Sequence, residues 1–281
     1  VAFKGEIMSD AKVALVTGAS SGIGEDTARL LHKQGFTVYA VARRLEPMQK
    51  LAELSVRVFG MDVTDDESVT AGIQKIIAET GRIDVLVNNA GYGSYGAIED
   101  VPLDEARRQF EVNVFGLARL IQLTVPHMRA QGSGRIINVS SIGGKIYEPL
   151  GGWYHATKFA VEGLSDSLRI ELRPFGIDVV LIEPAGVLTE WNAIARENMA
   201  KTSAGGAYAG QAASMARVLE SMDTPRRSSE PIVVARKIVK AATAPHPSAR
   251  YPVGRGAGTI LGARRLLPDR AFDAVISRVF C

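Results

Sequence analysis

Between residues 12 and 185, short apolar runs alternate with longer stretches whose apolar positions recur at helical spacing. Residues 12–17 (KVALVT) form a continuous apolar run, the pattern of a strand buried on both faces of a parallel sheet. Residues 37–42, 56–61, 83–87, 135–139 and 177–182 predict five further strands. Helical patterns cover 22–34, 47–54, 65–80, 103–129 and 154–174, and the third of these opens with acidic residues. Repeated strand-then-helix units of this length predict an α/β fold, a doubly wound parallel sheet in one domain spanning 1–281.

The pattern changes after Pro184. Residues 188–229 are rich in Ala, Ser, Gly and Met and predict one or two short helices on a mobile segment. Residues 231–243 read as a stronger helix and 249–253 as a last strand. Residues 254–281 form a C-terminal extension. Within it, 260–280 is amphipathic and reads as a surface helix docked on the domain or on a neighbouring subunit. A membrane-surface role is its weaker alternative.

Composition narrows the function. The 281 residues are 46% hydrophobic, enough for a full core without disulfides or metals. With 33 Lys plus Arg against 30 Asp plus Glu, the excess charge is only +3, which disfavours nucleic acid as a partner. One cysteine, Cys281, excludes an internal disulfide framework and a thiolate metal site and points to a reducing compartment, with the cytoplasm as the default expectation where no targeting signal is read. The four histidines show no ligand spacing, so no metal is expected. No apolar run approaches the ~20 residues of a membrane span. Residues 1–10 lack the apolar centre of a secretory signal, and Met8 is a candidate start.

Directly after the first strand comes Thr17-Gly18-Ala19-Ser20-Ser21-Gly22-Ile23-Gly24. Glycines at G-x-x-x-G-x-G let the backbone turn tightly and approach a pyrophosphate, and the following helix offers its positive N-terminus to that charge. This predicts a Rossmann-type dinucleotide site. Folds selective for NAD place an acid at the end of the second strand to bind the ribose 2′-hydroxyl. Here Ala42 is followed by Arg43 and Arg44, which suit a 2′-phosphate, so NADP(H) is expected in preference to NAD(H). Asp62-Val63 ends strand three, where a carboxylate can accept from an adenine amino group. Asn88-Asn89-Ala90-Gly91 ends strand four, where amides can tie strand ends together and small residues leave room for a cofactor.

Tyr154 and Lys158 stand four apart at the start of a long helix and share one face. A free phenol titrates near about 10, and a neighbouring ammonium lowers that value toward the range useful for proton transfer. Ser140 and Ser141 end strand five, where open α/β sheets place their sites. Asn113 is a polar residue inside an apolar helix; a held water and a mere irregularity are equal readings of it.

These residues together give the chain its resemblance to the short-chain dehydrogenase/reductase family, over roughly residues 11–190 and more loosely to 245. The motifs are TGASSGIG (17–24), DV (62–63), NNAG (88–91), Asn113, SS (140–141), YHATK (154–158) and PAGVLT (184–189). The resemblance implies Tyr154 as general acid/base, Lys158 as ribose ligand and depressor of the Tyr154 pKa, and Asn113 as holder of a relay water. It implies Ser141 as the residue that polarises the carbonyl, since it lies thirteen positions before Tyr154. It further implies that Thr17, Gly18, Ser20, Ser21, Gly22, Ile23 and Gly24 line the cofactor phosphates and ribose, with Asp62 and Val63 at the adenine. Asn89, Ala90 and Gly91 would lie at the adenosine-side ribose and sheet edge, and Pro184, Gly186, Val187 and Thr189 would flank the nicotinamide. Ala185 departs from the family's adjacent Pro-Gly. Residues 38–48 and 158–172 resemble the branch of hydroxysteroid dehydrogenases and acyl-dihydroxyacetone-phosphate reductases, which implies large apolar substrates.

The reading is therefore an NADP(H)-dependent enzyme interconverting a ketone or aldehyde with an alcohol by hydride transfer. Residues 188–229 would be its helical substrate lid, with Trp191 and Tyr208 facing the substrate, and Tyr147 reaching it from the loop before Tyr154. The alternative is a non-catalytic NADP(H)-sensing regulator of the same fold, which predicts loss of Ser, Tyr or Lys; all three are present. The resemblance also implies a homodimer or homotetramer through the helices of 103–129 and 154–174.

Overall fold

The computed structural model describes residues 11–280, so the candidate start at Met8 and the cysteine at 281 lie outside the described residues. The chain runs β1 (Val13–Thr17), α1 (Gly22–Lys33), β2 (Thr37–Ala42), α2 (Gln49–Ala52), β3 (Arg57–Gly60), α3 (Asp66–Thr80) and β4 (Val85–Asn88). It continues through α4 (Leu103–Phe110), α5 (Gly116–Gln131), β5 (Gly134–Val139), α6 (Gly152–Leu172) and β6 (Ile177–Pro184). After β6 come α7 (Trp191–Ser203), α8 (Ala209–Met222), α9 (Pro231–Thr243), β7 (Arg250–Val253), α10 (Ala257–Leu266) and α11 (Asp269–Phe280). The seven strands form one parallel sheet in the order β3-β2-β1-β4-β5-β6-β7.

The period-2 alternation of β1 sends side chains to two cores. Ala14 and Val16 pack beneath α1 and α9, with Ala28, Leu31, Val234 and Ile238. Val13 and Leu15 pack beneath α3, α5 and α6, with Ile73, Ile76, Leu120 and Val161. Strand order reverses between β1 and β4. At such a switch point the crossovers diverge and leave a crevice beyond the strand C-termini. A third, smaller apolar cluster joins Tyr95, Leu150 and Tyr154 to α7 and α8 and lies over that crevice.

Four expectations are corrected. The pattern over 103–129 is two helices separated by a π turn at Glu111–Phe115. Its cause is tertiary: the buried Asn113 is drawn to the Tyr92 backbone. Residues 188–229 build two helices of 13 and 14 residues, not short ones. The amphipathic tail is two helices, because Pro268 cannot continue the first and its ring opens the second. In the 47–54 stretch only Gln49–Ala52 is α-helical.

Candidate active site

The glycine turn is shaped by close approach. Gly18 has φ +65° and Gly22 φ +59°, which L side chains rarely adopt. A methyl on Gly24 would sit 2.3 Å from the Gly18 carbonyl oxygen and 2.6 Å from Asn89 Nδ2. Ser21 begins α1 without a side-chain cap, so the first amides of the helix remain available to an anion. These features fit the phosphates of a dinucleotide.

Thr17 ties the strand ends together. Its hydroxyl is 1% exposed and fully used: it donates to Val87 O and accepts from the backbone N–H of Asn89 and of Ala90. Asn89 Nδ2 donates back to the Thr17 and Gly18 carbonyls. Thr17 and Asn89 therefore lock the end of β1 to the end of β4. The neighbouring strands are tied likewise, by Asn88 Nδ2 to Asn138 Oδ1 and Asn138 Nδ2 to Ser165 Oγ, each at 2.9 Å.

Asn113 is 1% exposed, and its amide is spent on protein. Oδ1 accepts from Tyr92 N at 3.0 Å, and Nδ2 donates to Tyr92 O at 2.9 Å and Thr157 Oγ1 at 3.0 Å. A side chain so engaged positions the segment after β4 against α6. Gly91 lies beside it, since a methyl there would meet Asn113 Oδ1 at 3.0 Å and Lys158 Nζ at 3.8 Å.

Ser141, Tyr154 and Lys158 converge at the end of β5. The Ser141 hydroxyl accepts from Gly143 N at 2.9 Å, makes a long 3.4 Å contact to Pro184 O and neighbours the Tyr154 phenol. Ser140 is buried on the other side of the strand end, with no hydrogen-bond partner for its hydroxyl among the described residues. The loop between Ser141 and Tyr154 is braced by His155. Nε2 of that ring accepts from Glu148 N and Nδ1–H donates to Gly143 O.

The electrostatics differ from the expectation. Burial pushes the Tyr154 phenol up to about 12, with the Ser141 hydroxyl opposing it. Burial lowers Lys158 to about 8, with Glu162 one turn along α6 opposing it. Lys158 Nζ donates to Val139 O at 2.9 Å and stands 6.0 Å from the Tyr154 ring centroid. The lysine thus has no direct bond to the phenol, and desolvation prevails over it.

Around this centre, Gly22 meets Thr189, whose Cγ2 would be 3.0 Å from an added methyl. The glycine turn therefore abuts the segment after β6. Arg44 donates to Glu190 Oε2 at 2.9 Å, while Arg43 is exposed with no ion pair among the described residues. Asp62 accepts from the backbone and hydroxyl of Thr64, and Asp65 caps α3. Val63 packs under Gly116. Pro184 and Ala185 run beside β7, where Ala185 N donates to Val253 O. Gly186 is tight against Ser228 and Met222, and Val187 bridges to Ser229.

The segment after β6 reaches the phenol. Trp191, the first residue of α7, meets the Tyr154 ring at 5.0 Å and the Tyr95 ring at 5.5 Å, both edge-on. Gly93 makes room, for a methyl there would strike the indole. Tyr208 borders the same cluster, with the Glu99 carboxylate near its hydroxyl raising the phenol pKa. Tyr147 does not join them: its hydroxyl donates to Asp273 and its ring meets Phe272 of α11. Sequence reasoning missed Tyr95, which is 1% exposed and donates to Glu148. The glycine-spaced aromatics of GYGSYG after β4 were the available signal.

The chain is similar to known proteins over nearly its whole length. The 3-ketodihydrosphingosine reductase of Bacteroides thetaiotaomicron is 37% identical over 271 residues, covering 96% of this chain and 97% of the relative. The NADPH-dependent 3-dehydrocapnine reductase of Ornithobacterium rhinotracheale is 34% identical over 275 residues, covering 94% and 95%. A short-chain dehydrogenase structure from Streptomyces avermitilis superposes with TM-score 0.80 at 34% identity, covering 97% of each chain. The short chain dehydrogenase profile matches residues 12–200, and the chain belongs to that family of oxidoreductases.

Proposed function

We propose that the protein is an NADP(H)-dependent reductase that interconverts a hydrophobic, lipid-like ketone with its alcohol. The observation that carries this is the convergence of the Ser141 hydroxyl, the Tyr154 phenol and the Lys158 ammonium at the strand ends beside the glycine turn. Ser20, Ser21, Ile23, Gly24 and the first amides of α1 would hold the cofactor phosphates, Arg43 and Arg44 the 2′-phosphate, and Asp62 and Val63 the adenine. Lys158 would hold the nicotinamide ribose, flanked by Pro184, Gly186, Val187 and Thr189. When bound, the nicotinamide supplies the hydride.

The protein's own part is proton transfer and orientation. A phenol held up to about 12 is protonated at neutral pH, so Tyr154 starts as a proton donor, the state that ketone reduction needs. Ser141 can turn its O–H from the long Pro184 contact toward a developing oxyanion. Asn113 acts as a positioning residue, and a relay water would use a main-chain carbonyl freed by the π turn. Trp191 over Tyr154 excludes bulk water.

The absence of an acid after β2 and the NADPH dependence named for the capnine relative support the cofactor choice. The sphingoid ketone named for the other relative and the apolar lid support the substrate class. Self-association belongs to the same proposal, supported by exposed Leu103, Phe115, Phe159 and Ile170 on α4 to α6. The test is a fluorescence titration with NADPH and NADH, then a panel running from small diketones to steroids and long-chain ketones. Tighter NADPH binding by tenfold or more, with turnover of large apolar ketones, is expected. Equal binding of both cofactors refutes the 2′-phosphate reading, and binding without turnover of any carbonyl refutes the reaction.

A further inference from the structure

The face of α6 that carries Tyr154 and Lys158 continues beyond them. Glu162 and Asp166 follow at the same four-residue spacing, so two carboxylates run along the helix away from the phenol. Glu162 is 3% exposed, and two cations hold it. Lys145 Nζ comes from the loop that joins Ser141 to Tyr154 and stands 3.0 Å from Oε2; the Arg250 guanidinium comes from β7 and donates to the same oxygen at 3.1 Å. Arg250 also reaches Asp166 at 2.7 Å and, as an ion pair, Glu183 of β6 at 3.3 Å. Arg169 takes another side of Asp166. Arg250 lies beyond residue 200, where the family profile ends, and is brought here by its register opposite Leu181 of β6.

Compensation within this cluster is uneven. Glu162 Oε1, Glu183 Oε1 and the Ser140 hydroxyl are buried without a hydrogen-bond partner among the described residues. Gly144 closes over two of these side chains and the backbone of the lysine: a methyl there would lie 2.8 Å from Glu162 Cγ, 2.9 Å from Ser140 Oγ and 3.0 Å from the Lys158 carbonyl. The Lys158 ammonium itself donates to a neutral group, the Val139 carbonyl. The charge that offsets its desolvation is Glu162, one turn along the helix. A carboxylate shared among three cations gives less to each as the others approach, because each cation cancels part of its field.

We propose that Glu162 is a positioning residue that keeps the Lys158 ammonium charged inside the fold, and that Lys145 and Arg250 set the strength of that hold by competing for the same carboxylate. The edge strand β7 thereby bears on the charge of the site lysine. The charge relation stands on these contacts alone; its value for cofactor binding rests on the reductase reading above.

The experiment is an NMR titration of the full chain carrying ¹³C at the lysine ε-carbons, with the Lys158 signal assigned through Lys158→Arg. The Lys158 midpoint is expected at about 8. Glu162→Gln removes the opposite charge with little change of shape and should lower that midpoint by about one pH unit, a tenfold loss of proton affinity. Lys145→Gln, at a partly exposed side chain, returns the carboxylate to Lys158 and should raise the midpoint by about 0.3 pH units. General loosening of the fold would let water reach the ammonium and raise the midpoint in both variants, so opposite shifts separate charge from packing. The pH at which NADPH binding weakens, read by fluorescence titration, should move with the midpoint in each variant. A midpoint that is unmoved or raised in Glu162→Gln overturns the proposal, and one that is not raised in Lys145→Gln overturns the competition. If the NMR shifts appear while the NADPH profile stays put, the ribose role given to Lys158 falls and the charge relation stands.

Discussion

At the strand ends, polar side chains are pinned from several directions: Thr17 to β4, Asn113 to Tyr92 and Thr157, Asn138 to Asn88 and Ser165. Across the crevice the lid packs through Ala195, Met199, Ala212, Met215 and Leu219, none of which has a directional bond to offer. The first region fixes atoms, because a displaced buried hydrogen bond leaves an unsatisfied group. The second fixes only volume, which a different ligand can refill. The proposed function puts chemistry in the pinned half and substrate choice in the packed half, and the two meet where Trp191 covers Tyr154.

The hardest blow to the pinned half is Tyr154→Phe. It should lower kcat by about 10²–10⁴, the usual worth of general acid catalysis, while the NADPH dissociation constant stays within twofold. Single-turnover kinetics beside fluorescence titration would check this, and retention of most activity would move the proton donor elsewhere. A smaller insult is Gly24→Ala, whose methyl would press on the Gly18 carbonyl. Overpacking of this kind costs about 1–3 kcal/mol, or several degrees in Tm, and should weaken cofactor binding as well. An unchanged melt would show that the turn yields as the lid does.

The smallest expected effect sharpens the comparison through pH. Glu183 on β6 is 2% exposed and carries its pKa at about 7, raised by burial and then by the Glu162 charge, against Arg250 at 3.3 Å. The folded chain keeps this proton where the unfolded chain has lost it, so its contribution to stability is present at low pH and lost as pH rises from about 4.5 through about 7. Glu183→Gln should raise Tm by a few degrees at pH 8 and leave it unchanged at pH 4, read by calorimetry at both values.

Much of this was legible in the chain because it is local. Apolar runs marked the strands, and the glycine turn and the Tyr154–Lys158 spacing marked the site. What escaped depends on partners distant in sequence. Nothing near Asn113 announces that its amide will be claimed by Tyr92, and so the π turn was invisible. Nothing near Tyr147 says that its hydroxyl will be claimed by Asp273, 126 residues on. The phenol pKa was misjudged for a related reason: spacing places Lys158 on the same face as Tyr154, but only packing reveals the desolvation that outweighs it. The break at Pro268 was legible, and amphipathic periodicity masked it.

The root of the lid acts as a fixed axle. Val187 bridges to Ser229, Leu188 N bonds to Ser229 O, Thr189 bears on Gly22, and Glu190 holds Arg44. Four consecutive residues are thus fastened to three separate parts of the molecule. Gly205 and Gly206, at the bend between α7 and α8, have nothing within 4 Å of where a side chain would begin. Restraint is thus graded along the segment, greatest where Trp191 meets Tyr154 and least at the bend. In the function proposed above, that grading would keep the edge nearest the reacting carbon in register.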